Sequence, residues 1–153
     1  MTPKKKIVAL MIGKKTSFGV PGKNIFKIHG KHLFEFPLVS AINSKLIDEL
    51  YISTDCPTIK KVSKKYKAKI IDRPKNIQNP NTLTEHVLEN AHNFIKNDLG
   101  GIEKIKYYIL LYANGAFLNH KLIKQAVQKL NNNKKFDSCV GVVNADMFTP
   151  IRA

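Results

Sequence analysis

Residues Ile7-Val8-Ala9-Leu10-Met11-Ile12 form an unbroken apolar run that stops at Gly13. The run has no polar alternation and is too short for a buried helix. It therefore predicts a strand covered on both faces, and such strands belong to parallel sheets enclosed by helices. The rest of the chain supplies the elements this arrangement needs. Further strands are expected over Leu50–Thr54, Ala68–Ile71, Ile105–Tyr112 and Ser138–Val143. Helical spacing covers Leu33–Ile47 (with Pro37 near its start), Pro57–Tyr66, Thr82–Asn97 and Lys121–Leu130. Thr82 and Glu85 read as a capping box opening the third of these helices. Strands alternating with helices give right-handed crossovers, so the predicted fold is a three-layer α/β domain with a mostly parallel sheet. The 153 residues suit a single domain spanning positions 1–153.

Composition narrows the function classes. With 43% hydrophobic and 24% charged residues the chain is neither disordered nor fibrous. No apolar run approaches the roughly 20 residues of a membrane span. The N-terminal segment lacks a clear apolar core and cleavage site for secretion, so a cytoplasmic location and no membrane partner are expected. The net charge of +15 raises the question of nucleic acid. Only Arg73 and Arg152 among the 26 basic residues are arginines, however, and the lysines lack interleaved aromatics. Guanine and phosphate readers favour the bidentate arginine fork, so no nucleic-acid partner is expected. Cys56 and Cys139 have neither the spacing nor the neighbours of a zinc or disulfide framework. The five histidines read as surface residues, with His29 and His32 flanking a Gly-Lys turn.

In parallel sheets ligands gather beyond the carboxyl ends of the strands, which directs attention to the loops that leave those ends. After the first strand comes Gly13-Lys14-Lys15-Thr16-Ser17-Phe18-Gly19-Val20-Pro21-Gly22-Lys23-Asn24. Glycines expose backbone amides, lysines supply charge and Ser17 a hydroxyl, a set suited to a triphosphate. It is not a Walker A loop, since Gly22-Lys23 is followed by Asn24, and it is not Gly-x-Gly-x-x-Gly.

Three motifs in order carry a resemblance: Gly19-Val20-Pro21-Gly22-Lys23-Asn24, then Ser53-Thr54-Asp55, then Arg73-Pro74. Together they resemble the acylneuraminate cytidylyltransferases, the CMP-sialic acid synthetases and their relatives, whose Rossmann-like nucleotidyltransferase domain the chain matches over nearly its whole length. The resemblance implies that CMP passes from CTP to an acidic, sialic-acid-like sugar with release of pyrophosphate, that Mg²⁺ takes part, and that the full-length form is a homodimer. It places Lys23 and Lys14 as catalytic cations. It places Ser17, Gly22, Lys23, Asn24, Arg73 and Thr84 around the nucleotide, with Lys23 on the triphosphate and Asn24 on the cytosine edge. Asp55 is implied as a metal-linked or loop-orienting carboxylate, and the family's metal ligands are expected beyond residue 153.

This sequence departs from the family in having Lys14 in place of an Arg and Phe18 in place of a Lys. Tyr112-Ala113-Asn114-Gly115-Ala116-Phe117-Leu118 stands where Gln-Pro-Thr-Ser-Pro-Leu-Arg is usual. Relatives also continue past this point, so the chain reads as the N-terminal part of the family's fold, with little activity by itself. A related transferase using another nucleotide and a non-catalytic nucleotide-binding fragment are the alternatives.

Overall fold

The computed structural model describes residues 4–17, 19–79 and 81–142. Its four main strands are β1 (Lys6–Gly13), β4 (Glu49–Thr54), β5 (Lys69–Asp72) and β6 (Ile105–Tyr112), joined in the order β5-β4-β1-β6. All neighbouring pairs are parallel: β1 with β4, β1 with β6, and β4 with β5. A two-residue hairpin, β2 (Lys27–Ile28) with β3 (Lys31–His32), is separate from this sheet. The helices are α1 (Glu35–Asn43), α2 (Pro57–Ser63), α3 (Thr84–Leu99) and α4 (His120–Asn132). This is the three-layer α/β arrangement expected from the apolar run.

That run is buried on both faces as its composition requires. Ala9 and Met11 face one core with Phe34, Leu38 and Ala41 at α1, Ile59 of α2 and Ile123 of α4. Val8, Leu10 and Ile12 face the other, with Tyr51, Ile71 and the α3 stripe Val87, Ala91, Ile95 and Leu99. The four-residue spacing of that stripe keeps one helix face on the sheet. From β1 the chain proceeds to β4 and β5, then returns through α3 to place β6 on the opposite side of β1. The direction of winding therefore reverses between β1 and β6, and their carboxyl ends open a crevice there.

Four local expectations are corrected. The Thr82–Glu85 capping box does not form: α3 starts at Thr84, and its N-cap, Leu83, has no side chain able to accept the first amides. The chain enters that helix instead through a turn in which the Asn81 amide donates to Asn79 Oδ1 and the Thr82 amide to the Asn79 carbonyl. The first helix is shorter than its apolar spacing, Glu35–Asn43, because Lys45 turns into the left-handed region at φ 59°. The hairpin turn is His29-Gly30, both at positive φ, as the tight reversal between paired strands demands. Finally, Ser138–Val142 is not a strand; Val140 and Val142 are 77% and 91% exposed. Valine favours a strand only where a neighbouring strand and a packing face exist, and among the described residues this segment has neither. Val143 lies outside the described residues.

A buried carboxylate joins the hairpin to the helices. Glu35, 2% exposed at the start of α1, accepts hydrogen bonds at Oε1 from His32 (3.1 Å) and at Oε2 from Lys65 Nζ (2.8 Å) and Tyr66 Oη (2.9 Å). Burial alone would raise its pKa, but the hydrogen bonds from Lys65, His32 and Tyr66 outweigh burial and hold it at about 2, against an ordinary 4.5. Because the folded value is the lower one, this carboxylate adds stability above pH 4.5 that disappears as the pH falls towards 2. Urea unfolding midpoints of the wild-type chain are expected to drop more steeply between pH 5 and 3 than those of Glu35→Gln.

The end of β1 is equally specified. A Cβ at Gly13 would lie 2.9 Å from Ala113 Cβ and 3.2 Å from Ile59 Cδ1, whereas one at Gly19 meets nothing within 4 Å. Gly13→Ala is expected to cost about 1–3 kcal/mol, the usual penalty of overpacking a core. Gly19→Ala is expected to stay within about 0.5 kcal/mol of wild type in the same urea titration.

Candidate functional site

The strand registers bring the candidate loops to one edge. Gly13 pairs with Thr54, Thr54 with Asp72, and Ile12 with Tyr112. The segments beginning at Lys14, Asp55, Arg73 and Ala113 thus leave the sheet side by side. Because α3 runs back from this edge to the start of β6, Thr84 at its first turn lies at the same end. Its side chain is exposed and makes no hydrogen bond among the described residues.

The loop after β1 is tied down at both ends. Asp55 Oδ1 accepts from the Lys15 amide at 2.8 Å, so a carboxylate at the end of β4 fixes the loop's first turn. Asn24, 8% exposed, donates from Nδ2 to the Lys14 carbonyl at 3.0 Å and closes the loop across its mouth. Among the described residues one amide proton and the carbonyl oxygen of the Asn24 side chain have no partner, as an Asn side chain carries two donors and an acceptor. Between these anchors Gly22 adopts φ 68° and starts the short 3₁₀ turn Lys23–Ile25, with the Ile25 amide donating to the Gly22 carbonyl. A side chain there would be strained, which accounts for glycine at this position. Lys14, Ser17 and Lys23 are half-buried along the loop. Phe18 lies outside the described residues.

Arg73 supports the neighbouring motif from below. Its Nε donates to Ser53 Oγ at 3.2 Å and its Nη2 to the Ser53 carbonyl at 3.0 Å. Burial lowers the affinity of the guanidinium for its proton, and the Asp55 carboxylate counters part of that effect. Gln78 donates to the Arg73 carbonyl at 2.6 Å and fixes the backbone that carries it. Ser53-Thr54-Asp55 and Arg73 are thus one unit: Arg73 holds Ser53, and Asp55 holds the loop. The structure places Lys14, Ser17, Gly22, Lys23, Asn24, Asp55 and Arg73 in contiguous segments of this edge; Thr84 stands at its rim.

The partner of Arg73, Ser53, is legible in the sequence only as part of a motif. The Asp55 bond to Lys15 joins residues 40 positions apart and has no local signal. Glu35 does have one: a single charge inside Leu33-Phe34-Glu35-Phe36-Pro37-Leu38 is either exposed or buried with partners.

No three His, Cys, Asp or Glu side chains among the described residues converge to hold a metal ion. Asp55 has already committed one oxygen to Lys15. These residues do not by themselves make a magnesium site. No described helix is long and apolar enough to cross a membrane.

A parallel sheet that reverses its winding between β1 and β6, with a glycine and lysine loop at that point, defines an α/β protein whose ligand edge lies at the carboxyl ends of those strands. Residues 14–150 match the family model described as cytidylyltransferase, and the chain belongs to that family. It is 32% identical over 119 residues to the pseudaminic acid cytidylyltransferase of Campylobacter jejuni, covering 76% of this chain and 50% of that protein. It is 37% identical over 67 residues to the N-acylneuraminate cytidylyltransferase of Oncorhynchus mykiss, covering 44% of this chain and 16% of that protein. The chain therefore spans half, or less, of the length of these relatives. Among solved structures, a CMP:2-keto-3-deoxy-manno-octonic acid synthetase complexed with CTP superposes with TM-score 0.64 at 17% identity, over 85% of this chain and 49% of that one. A 4-diphosphocytidyl-2C-methyl-D-erythritol synthase gives 0.65 at 14% identity, over 86% and 57%. At these identities the two structures bear out the fold.

The Asp55–Lys15 bond makes a direct prediction. Asp55→Asn keeps an oxygen for the Lys15 amide and is expected to leave its hydrogen exchange at the wild-type rate. Asp55→Ala removes the acceptor and is expected to speed that exchange and cost about 1 kcal/mol of stability. Both variants exchanging equally faster than wild type would show that the carboxamide oxygen cannot replace the carboxylate, and both matching wild type would show that the bond does not protect the amide.

Proposed function

We propose that this chain is the CTP-binding part of an enzyme that transfers CMP from CTP to an acidic, sialic-acid-like nine-carbon sugar. The observation that carries the reading is the Lys14–Asn24 loop, anchored at both ends and set where the sheet reverses its winding. The pseudaminic acid and N-acylneuraminate cytidylyltransferases among its relatives supply the substrate class. In the reaction a sugar hydroxyl attacks the α-phosphorus, the bond to the β-phosphate oxygen breaks, pyrophosphate departs, and the hydroxyl proton is released. Charge grows on the bridging and non-bridging oxygens, so fixed cations and amide donors at that place lower the barrier.

Lys23 and Lys14 supply the cations, with Lys23 on the β- and γ-phosphates. Ser17 and the amides around Gly22 donate to phosphate oxygens. Asn24 meets the cytosine edge with its remaining donor and acceptor, and Arg73 and Thr84 flank the base. Asp55 acts through the loop by holding Lys15. Mg²⁺, which the family resemblance implies, would be held by the triphosphate itself and would offset its charge, because the described residues provide no set of carboxylates for it. The full-length protein works as a cytoplasmic homodimer in making an activated sugar for surface polysaccharide or lipopolysaccharide.

Thermal unfolding with CTP, GTP, UTP or ATP, each with and without Mg²⁺, tests the reading. A nucleotide held at 100 times its Kd adds about 2.7 kcal/mol of stability. For a domain of this size that is a rise of about 5–10 °C in Tm. A rise confined to CTP is expected; equal rises for all four nucleotides, or none, would overturn the assignment. Lys23→Ala is expected to weaken CTP binding more than CMP binding, and equal losses would remove Lys23 from the β- and γ-phosphates.

A further inference from the structure

Glu35 carries no role in the transfer chemistry, yet it is the most heavily partnered side chain near the loop. Both carboxylate oxygens are occupied, and their three donors come from two directions: His32 at the end of the hairpin, and Lys65 with Tyr66 at the exit of α2. The hairpin comes directly after the candidate loop in the chain. Its base is closed by the Leu33 amide on the Phe26 carbonyl (2.8 Å) and by the Phe34 amide on the Asn24 carbonyl (3.1 Å). His32 stacks on Phe34 with ring centroids 5.7 Å apart, and Phe34 is fully buried. Asn24 in turn holds the Lys14 carbonyl. A continuous line of contacts thus runs from the α2 exit through Glu35, His32 and Phe34 to Asn24 and Lys14.

We infer that Glu35 is a positioning residue for the nucleotide loop, locking the β2–β3 hairpin onto α2 so that Asn24 stays aimed at Lys14. The inference rests on the proposed CTP site for its functional meaning, but the geometry it concerns exists without nucleotide. A buried carboxylate held only for stability would loosen the whole domain when removed. A positioning carboxylate loosens the loop first, because β1, β4 and α3 are secured by their own packing. A second ion cluster provides the comparison. Asp98 accepts from Lys69 (2.7 Å) and Tyr51 (2.5 Å) at the opposite end of the sheet, remote from the loop.

Amide hydrogen exchange of the whole chain, without nucleotide, distinguishes the two. In Glu35→Ala the Lys15, Lys23, Ile25 and Phe34 amides are expected to exchange roughly tenfold faster while the Ala9–Met11 amides keep wild-type protection. Asp98→Asn is expected to leave the loop amides alone. A uniform acceleration of loop and β1 amides in Glu35→Ala, or none at the loop, would overturn the inference. If Glu35→Ala does not fold, the double variant Lys65→Met/Tyr66→Phe removes the two outer donors and is expected to show the same loop-first pattern at smaller amplitude.

CTP binding supplies the functional arm. Where wild type binds CTP, Glu35→Ala is expected to raise Kd roughly tenfold, with Glu35→Gln restoring most of the affinity. An unchanged Kd would overturn the positioning role. Wild type failing to bind CTP would overturn the proposed function, and the exchange pattern would then decide the Glu35 inference by itself.

Discussion

Everything at the candidate edge depends on β1 having a parallel neighbour on each side. Pairing with β4 puts Gly13 opposite Thr54, and pairing with β6 puts Ile12 opposite Tyr112. The three strand ends then stand level, and the Ala113 amide donates to the Ile12 carbonyl at 3.1 Å to continue the ladder one residue further. Gly13 makes this closeness possible, since Ala113 and Ile59 fill the space a side chain would need. Because the winding reverses at this pairing, the loops after β1 and β6 diverge and leave room between them.

Onto that frame the chain adds two buried charges, each held by hydrogen bonds to named partners. Arg73 donates to Ser53 twice, and Glu35 accepts from three donors. A buried charge with an empty partner position is costly, so each of these residues selects one arrangement of the segments around it. Arg73 fixes the Ser-Thr-Asp turn, whose Asp55 reaches the loop from the β4 side. Glu35 fixes the hairpin, whose Asn24 closes the loop from the other. The loop itself needs few internal contacts because its two ends are held by elements already rigid.

Much of this is legible from residue order. Ile7–Ile12 announces the central strand because a run without a polar face has only one kind of place in an α/β domain. Helix α3 is legible from its apolar spacing, but not its start, because Thr82 and Glu85 satisfy a pattern while Asn79 forms the turn that wins. The Ser138–Val142 segment fails in the opposite way: its valines favour a strand, but strand formation is decided by a neighbour and not by the segment. His32 resists reading as well; its half-buried position beside Glu35 depends on the hairpin, which two-residue strands hardly signal. The motif residues of the site are found because they are consecutive, whereas the bonds that tie them together span long sequence separations.

Among the described residues strand β6 stands at the edge of the sheet, with no strand beyond it. On the α3 side Tyr108, Leu110 and Tyr112 are 38%, 37% and 50% exposed, and only Lys106 adds a charge to that row. Unpaired backbone donors and acceptors beside an apolar face form a template for strand addition. Where nothing covers that edge, association through β6 is expected to precede opening of the core, so that light scattering rises at temperatures where circular dichroism is still native.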